Sequence, residues 1–410
     1  MNRSRFDWVR PPLDFLVGPL MLAAAEAGNT QRFISTLKYV RNINFEDDRK
    51  ETALHKAANN GHKSIVQLLL EKGALIDTLS WLNFTPLQYA IRHGHTEIAE
   101  LLLMEGASTK PFDGEIITPL HLAVQEGNTD IVELLLKKGA SIDAMSLYNA
   151  TPLHFAIKLG RTTMVELLLT KGASIEARDE NNNTPLHLAV HSGHTSMVEL
   201  LLTKGASIEA RDENNNTPLH LAIRNGYASM VELLAQCASI EATDEDNQTP
   251  LHLAAWEGNT TMVGLLLALG ASTEAMDKNN YTPLHLAAWK GHINTVELLI
   301  EKGASIKAIT NNNETPLHLA ALDCNASMVE LLLRKGALIT AMDKDENTPL
   351  DLAARYGCTS TIELLKRGLA EATNKYNETP LPLATENSHA NIVQLLKTNT
   401  VEPVANGDCP

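Results

Sequence analysis

The chain has 410 residues, of which 44% are hydrophobic and only 4% aromatic, so it can bury a core and that core is aliphatic. Lys plus Arg number 34 against 49 Asp plus Glu, a formal charge of −15, which excludes nucleic acid or an anionic membrane surface as the main ligand, since both need a basic footprint. Residues 1–17 form an N-terminal segment in which Pro11, Pro12 and Asp14 interrupt the apolar residues, so no secretory leader is expected. No run of 18 apolar residues follows, so no membrane insertion is expected. Four cysteines exclude a disulfide scaffold and fit a reducing compartment, so the expected location is cytoplasmic.

From residue 18 the chain repeats itself. A degenerate copy, GPLMLAAAEAGN, begins at Gly18. The tetrapeptide T-[PA]-L-x then starts at Thr52, Thr85, Thr118, Thr151, Thr184, Thr217, Thr249, Thr282, Thr315, Thr348 and Thr379, mostly 33 residues apart. About twelve units therefore fill 18–397, starting near 18, 52, 85, 118, 151, 184, 217, 249, 282, 315, 348 and 379. The tail, 398–410, is expected to be disordered. Residues 164–189 and 197–222 are the same string, the mark of a recent duplication.

The unit from Thr184 shows how one copy is built. Thr184 is placed to cap a helix and Pro185 to occupy its first position, where a missing N–H costs nothing. Leu186, Leu188 and Ala189 make that helix apolar, and Gly193 can end it in the left-handed region. Ser196 and Glu199 have the spacing of a capping box for a second helix, as do Ser64/Gln67, Asp130/Glu133, Thr163/Glu166, Ser229/Glu232, Asn294/Glu297, Ser327/Glu330 and Ser360/Glu363. Val198, Leu200, Leu201 and Leu202 are its expected packing face, and Gly205 its stop. An extended stretch then turns through Asn215, a residue that tolerates positive φ. Small residues on the first helix and leucines on the second should bow the stack, with first helices and loops on the hollow side and a length on the order of 100 Å.

The pattern G-x-TPLHLAA-xx-GH-xx-[IM]VELLL-xx-GA at this period resembles the ankyrin repeat. The resemblance implies an all-α fold, an α-solenoid of stacked antiparallel helix pairs with projecting hairpin-like loops, that binds proteins on its concave face. It also implies that His55, His121, His154, His187, His220, His252, His285 and His318 each bond their own Thr and the adjacent unit. Two departures stand out. Ser-Ile-Glu at 174–176 and 207–209 replaces the usual Asp-Val-Asn, and the loop tips carry Asn rather than Gly. The unit from Thr217 is a residue short and has Cys237 where glycine ends the second helix, and the next unit has Gly264 inside its second helix. Residues 230–270 are therefore expected to be the soft part of the array.

Residues that vary while the frame stays fixed are the candidates for binding. Trp81, Trp256 and Trp289 fall at such positions, joined by Phe84, Tyr148, Tyr281 and Tyr356. Arg92, Lys158, Arg224, Arg355 and Lys290 stand at the ends of first helices, and Arg178 and Arg211 just before loops. Trp, Tyr and Arg are the types that anchor interfaces. Trp256 and Trp289, about 10 Å apart with Tyr281 between them, form the expected hot spot. The acidic loops (Asp179/Glu180, Asp212/Glu213, Asp244/Glu245/Asp246, Asp343/Asp345/Glu346) read as a solvated edge that could also favour basic partners.

No catalytic, cofactor or metal site is expected. The motif histidines stand one per unit and cannot converge on a metal, His191 and His194 lack further ligands, and Cys237, Cys324, Cys358 and Cys409 fall in different units or the tail. Asn182, Asn215, Asn247 and Asn280 precede x-Thr as by-products of the repeat. The expected function is a non-enzymatic scaffold, monomeric, binding one or more proteins. The alternative is an effector of an intracellular microbe or virus, exported into a host cell and using the same surface.

Overall fold

The computed structural model describes residues 13–110 and 117–366; the repeat expected at 379, the tail and Cys409 lie outside them. The described residues hold twenty-two helices and no strand, an all-α arrangement of the solenoid class. The chain divides into two compact units, with the boundary between Ser207 and Ile208. The first contains α1 (Leu13–Glu26), α2 (Thr30–Leu37), α3 (Ala53–Asn59), α4 (Lys63–Glu71), α5 (Pro86–Arg92), α6 (Thr96–Met104), α7 (Pro119–Glu126), α8 (Thr129–Lys137), α9 (Pro152–Lys158), α10 (Thr162–Thr170), α11 (Pro185–His191) and α12 (Thr195–Thr203). The second contains α13 (Pro218–Arg224), α14 (Ala228–Leu234), α15 (Pro250–Trp256), α16 (Thr260–Ala268), α17 (Pro283–Trp289), α18 (Ile293–Glu301), α19 (Pro316–Leu322), α20 (Ala326–Arg334), α21 (Pro349–Tyr356) and α22 (Thr359–Lys366).

The first helix of each repeat starts where the threonine dictates. Thr184 Oγ1 accepts the His187 N–H, while His187 Nδ1 accepts the Thr184 N–H at 3.3 Å, so two donors at the helix end are satisfied reciprocally. The same Thr–x–x–His box recurs from Thr52 to Thr315, with Gln88 and Asp351 doing the histidine's part in two repeats. The neutral ring then donates from Nε2 to the next repeat's loop: His55 to the Phe84 carbonyl at 3.0 Å, His121 to Ala150 at 2.9 Å, His252 to Tyr281 at 3.0 Å and His318 to Asn347 at 3.2 Å. One side chain thus caps a helix and ties two repeats together. Burial lowers these histidines, His121 and His285 to about 4, so the rings stay neutral.

The second helices begin differently from the sequence expectation. Ser64, Asp130, Thr163, Ser196, Ser229, Asn294, Ser327 and Ser360 are each the second residue inside their helix, not its cap. The cap is the residue after the glycine, or after Cys324 in the repeat from Thr315. Where it is Asn, as at 29, 128, 259 and 325, its Oδ1 accepts a first-turn N–H. Where it is His or Arg, the side chain reaches back instead: His62 Nε2 to the Glu26 carbonyl at 3.0 Å, His292 to Trp256 at 2.9 Å, Arg161 to Gln125 at 2.7 Å. The connection between repeats outranks the local cap.

Packing follows the 3.6-residue period. In α11 and α12 the fully buried hydrophobic side chains include Leu186, Ala189, Val190, Met197, Val198 and Leu201; Leu200 and Leu202 are only half-buried, and Met197 takes the core place expected of Leu200. First helices pack on first helices of neighbouring repeats, as in α3 on α5 and α15 on α17, and second helices on second, as in α6 on α8 and α16 on α18. At the first copy, Gly18 and Pro19 lie inside α1 instead of opening it. Gly18 lets the Phe45 ring lie against the helix: a Cβ there would stand 2.6 Å from it.

The loops are fixed by their first acidic residue. Asp179 Oδ1 accepts the Asn181 and Asn183 N–H groups at 3.0 and 2.8 Å, and Asp212, Asp244, Asp277 and Asp343 do the same. These aspartates are therefore turn-formers, three of them buried, while Glu180, Glu213, Glu245, Asp345 and Glu346 of the same loops are exposed. The tip asparagines at 83, 149, 182, 215, 247, 280 and 313 all take φ between 53° and 62°. The glutamates of Ser-Ile-Glu bind the following repeat. Glu176 accepts the Ser207 N–H at 2.7 Å, as Glu209 does from Ser239 at 2.6 Å and Glu241 from Ser272 at 2.8 Å.

Candidate protein-binding site

The first helix of the unit from Thr249 ends at Trp256, and that of the unit from Thr282 ends at Trp289. The backbones of Trp256 and Tyr281 are pinned. The Trp256 carbonyl accepts from His292, and the Tyr281 carbonyl, at the loop end before α17, accepts from His252. Tyr281 N–H donates to Asp277 Oδ1 at 2.9 Å. On this frame the rings meet: Trp256 stands edge-on to Trp289 with centroids 5.9 Å apart, and Tyr281 stacks on Trp289 at 5.8 Å with planes 22° apart. The two indoles come closer than the repeat spacing of about 10 Å because both long side chains lean across the gap. Lys290 Nζ lies 3.9 Å from the Trp256 ring centroid, a cation–π contact on the exposed side. The three aromatic residues are half-buried. Burial first, and the Glu314 carboxylate second, push the Tyr281 phenol up.

A second exposed group sits in the first unit. Trp81 is 72% and Leu82 59% exposed at a loop tip, beside a cleft of about 170 Å³ lined by Arg49, Glu51, Ser80, Trp81, Leu82 and Tyr89. The floor is rigid: Tyr89 Oη donates to Glu51 at 2.8 Å, and Lys56 pairs with Glu51 at 2.5 Å and Asp47 at 3.0 Å. Trp81 N–H donates to the Arg49 carbonyl at 2.7 Å, fixing the tip. Leu82, which sequence reasoning missed, could have been found at the −3 position that also holds Tyr148.

The remaining candidates separate into surface groups and braces. Arg92 lies 5.5 Å from the Phe84 centroid. Tyr148 and Tyr356 are exposed, as are Lys158 and Arg224. Arg178 donates to the Asn182 carbonyl at 2.8 Å, Arg211 to the Asn215 carbonyl at 2.8 Å and also to that of Thr243, and Arg355 to Asn347 Oδ1 at 3.0 Å. These three guanidiniums support loops. Among the described residues no three His, Cys, Asp or Glu side chains are grouped to hold a metal, and no helix is long and apolar enough to cross a membrane.

The cysteines correct one expectation. Cys324 and Cys358 stand in different repeats, yet they form a disulfide, with Cα atoms 4.9 Å apart. The signal lay in their separation of 34 residues, which in this array joins the glycine after one first helix to the residue that opens the next repeat's second helix. Cys237 is free and exposed.

A family model described as "Ankyrin repeats (3 copies)" matches residues 20–113, 110–179, 175–246, 236–310 and 306–371. The 60 kDa lysophospholipase of Mus musculus is 38% identical over 60 residues, 15% of this chain and 11% of that protein. Inversin of Danio rerio is 42% identical over 67 residues, 16% of this chain and 7% of that protein. The chain thus spans about a tenth or less of the curated relatives it matches. Among solved structures, the ankyrin repeat domain of Bcl-3, described as a unique member of the IkappaB protein family, is 31% identical with a TM-score of 0.49, covering 53% of this chain and 99% of that one. Ankyrin repeats are general protein–protein interaction modules, and this chain belongs to the ankyrin-repeat family.

Proposed function

We propose that the chain is a non-enzymatic scaffold that binds partner proteins through the concave face formed by first-helix ends and loops, in the cytoplasm. The observation that carries the reading is the cluster of Trp256, Trp289, Tyr281 and Lys290: large aromatic groups, held on pinned backbone, at positions the repeat frame leaves free. The Trp81–Leu82 tip is a second anchor of the same kind. The formal charge of −15 favours partners with basic surfaces.

Affinity capture with the wild type beside the Trp256→Ala/Trp289→Ala variant tests it. Proteins retained by the wild type and lost from the variant are the expected ligands. An identical set from both would refute the assignment of this cluster. Removing the two rings also removes their mutual stacking, about 0.5–1.5 kcal/mol per aromatic pair, so the capture is run well below the melting temperature of both proteins.

A further inference from the structure

We infer that Cys324 and Cys358 form a redox-operated staple that locks the repeat from Thr315 to the repeat from Thr348. One contact recurs along the array and explains how the two sulfurs meet. The glycines after the first helices take positive φ, and at six of them, though not at Gly94 or Gly226, the residue 34 positions later lays its side chain over the glycine. A Cβ at Gly61 would stand 2.8 Å from the His95 ring, and one at Gly160 would stand 3.1 Å from that of His194. Gly28/His62, Gly127/Arg161, Gly258/His292 and Gly291/Asn325 repeat the pattern. At one place both partners change together. Cys324 occupies the glycine position, with φ of 58° that a side chain rarely adopts, and Cys358 occupies the position of the overlying residue. The close approach that elsewhere demands glycine here brings two sulfurs into bonding distance.

The reduced form is also accommodated. Cys358 is buried and its sulfur lies 3.4 Å from the Ala321 carbonyl, near the end of α19, so a thiol there can donate to it. His62 and His292 bond the equivalent end of the preceding first helix in other repeats. Closure is an exchange with a small disulfide such as oxidised glutathione. Each cysteine gives up its proton and the pair gives up two electrons, the sulfur–sulfur bond forms, and the small disulfide is reduced to two thiols. Because repeats are stabilised by their neighbours, the closed bond acts on α21 and α22, which gain a covalent tie to α19.

The test uses the full chain in glutathione buffers from fully reduced to fully oxidised, with alkylation and mass spectrometry of each cysteine. Cys324 and Cys358 are expected to lose reactivity together and to appear as one linked peptide pair, with Cys237 alkylated throughout. Amide exchange across 349–366 is expected to slow by up to about five-hundredfold on closure, as for a loop of 34 residues. In the Cys324→Gly/Cys358→His variant, which restores the common pair, exchange should not depend on the buffer. Full alkylation of both residues in oxidised buffer, a link to Cys237 or Cys409 instead, or exchange unchanged by reduction would overturn the proposal.

Discussion

At the scale of single residues, the histidine of the repeats that carry it serves both its own helix and the next repeat, and it does so only when neutral. Its Nδ1 accepts from the threonine N–H that opens the helix, and its Nε2–H reaches the next repeat's carbonyl. Burial lowers His121 and His285 from 6.5 to about 4. The unfolded chain takes up these protons below about pH 6.5 while the folded chain refuses them to about pH 4, so stability is lost as pH falls through that window. Each of the two contributes about 3 kcal/mol of this loss by pH 4. Urea unfolding should accordingly show a falling midpoint between these pH values. Gln88 already fills the histidine place behind Thr85, accepting the Thr85 N–H at 2.7 Å, so His121→Gln should keep the box and flatten the profile. A wild-type midpoint constant across that window would contradict the neutral-ring account. The residue scale was also where sequence reasoning worked best. Thr184, Pro185, Gly193 and Asn215 obey rules local to a few residues, and the structure puts each in the conformation those rules require.

At the scale of elements, the repeat from Thr217 is irregular. α14 has seven residues where α12 and α16 have nine, so the missing residue of that unit is absorbed by shortening the helix, and Cys237 is left exposed behind it. Gly264 then lies inside α16, with helical backbone and the Leu298 side chain 3.7 Å from where a Cβ would be. That is ordinary van der Waals contact, so Gly264→Ala should stabilise the protein by about 0.5–1 kcal/mol, read as a raised denaturant midpoint. A lowered midpoint would mean the glycine is needed. Hydrogen exchange should show residues 230–270 opening before the repeats on either side, and uniform protection would refute the soft stretch. The second-helix caps were misread from sequence for a related reason. Ser196 and Glu199 have the spacing of a capping box, but His194 holds the cap position, and comparable His62 and His292 bond the repeat before. That reason is invisible within one copy of the repeat. Cys324 and Cys358 stayed unpaired in the sequence reading for the same cause: their meeting is a property of two repeats stacked in register.

At the scale of the whole molecule, the frame and the variable residues divide the labour. The frame binds itself: Thr–His boxes, loop aspartates and the Ser-Ile-Glu carboxylates all direct their polar groups to the repeats themselves. The proposed binding residues are side chains the frame does not use. Their positions were legible as deviations from the repeat, whereas their contacts were not, since Arg178 and Arg211 turned inward to loop carbonyls and Tyr281 stacked on Trp289. The most direct measurement is the dissociation constant of a captured partner for the wild type and for Trp256→Ala/Trp289→Ala, taken by calorimetry with both proteins folded. Binding weakened by at least about tenfold in the variant is the expected result. Equal dissociation constants, with only the melting temperature lowered, would show that the rings merely shelter their own loops.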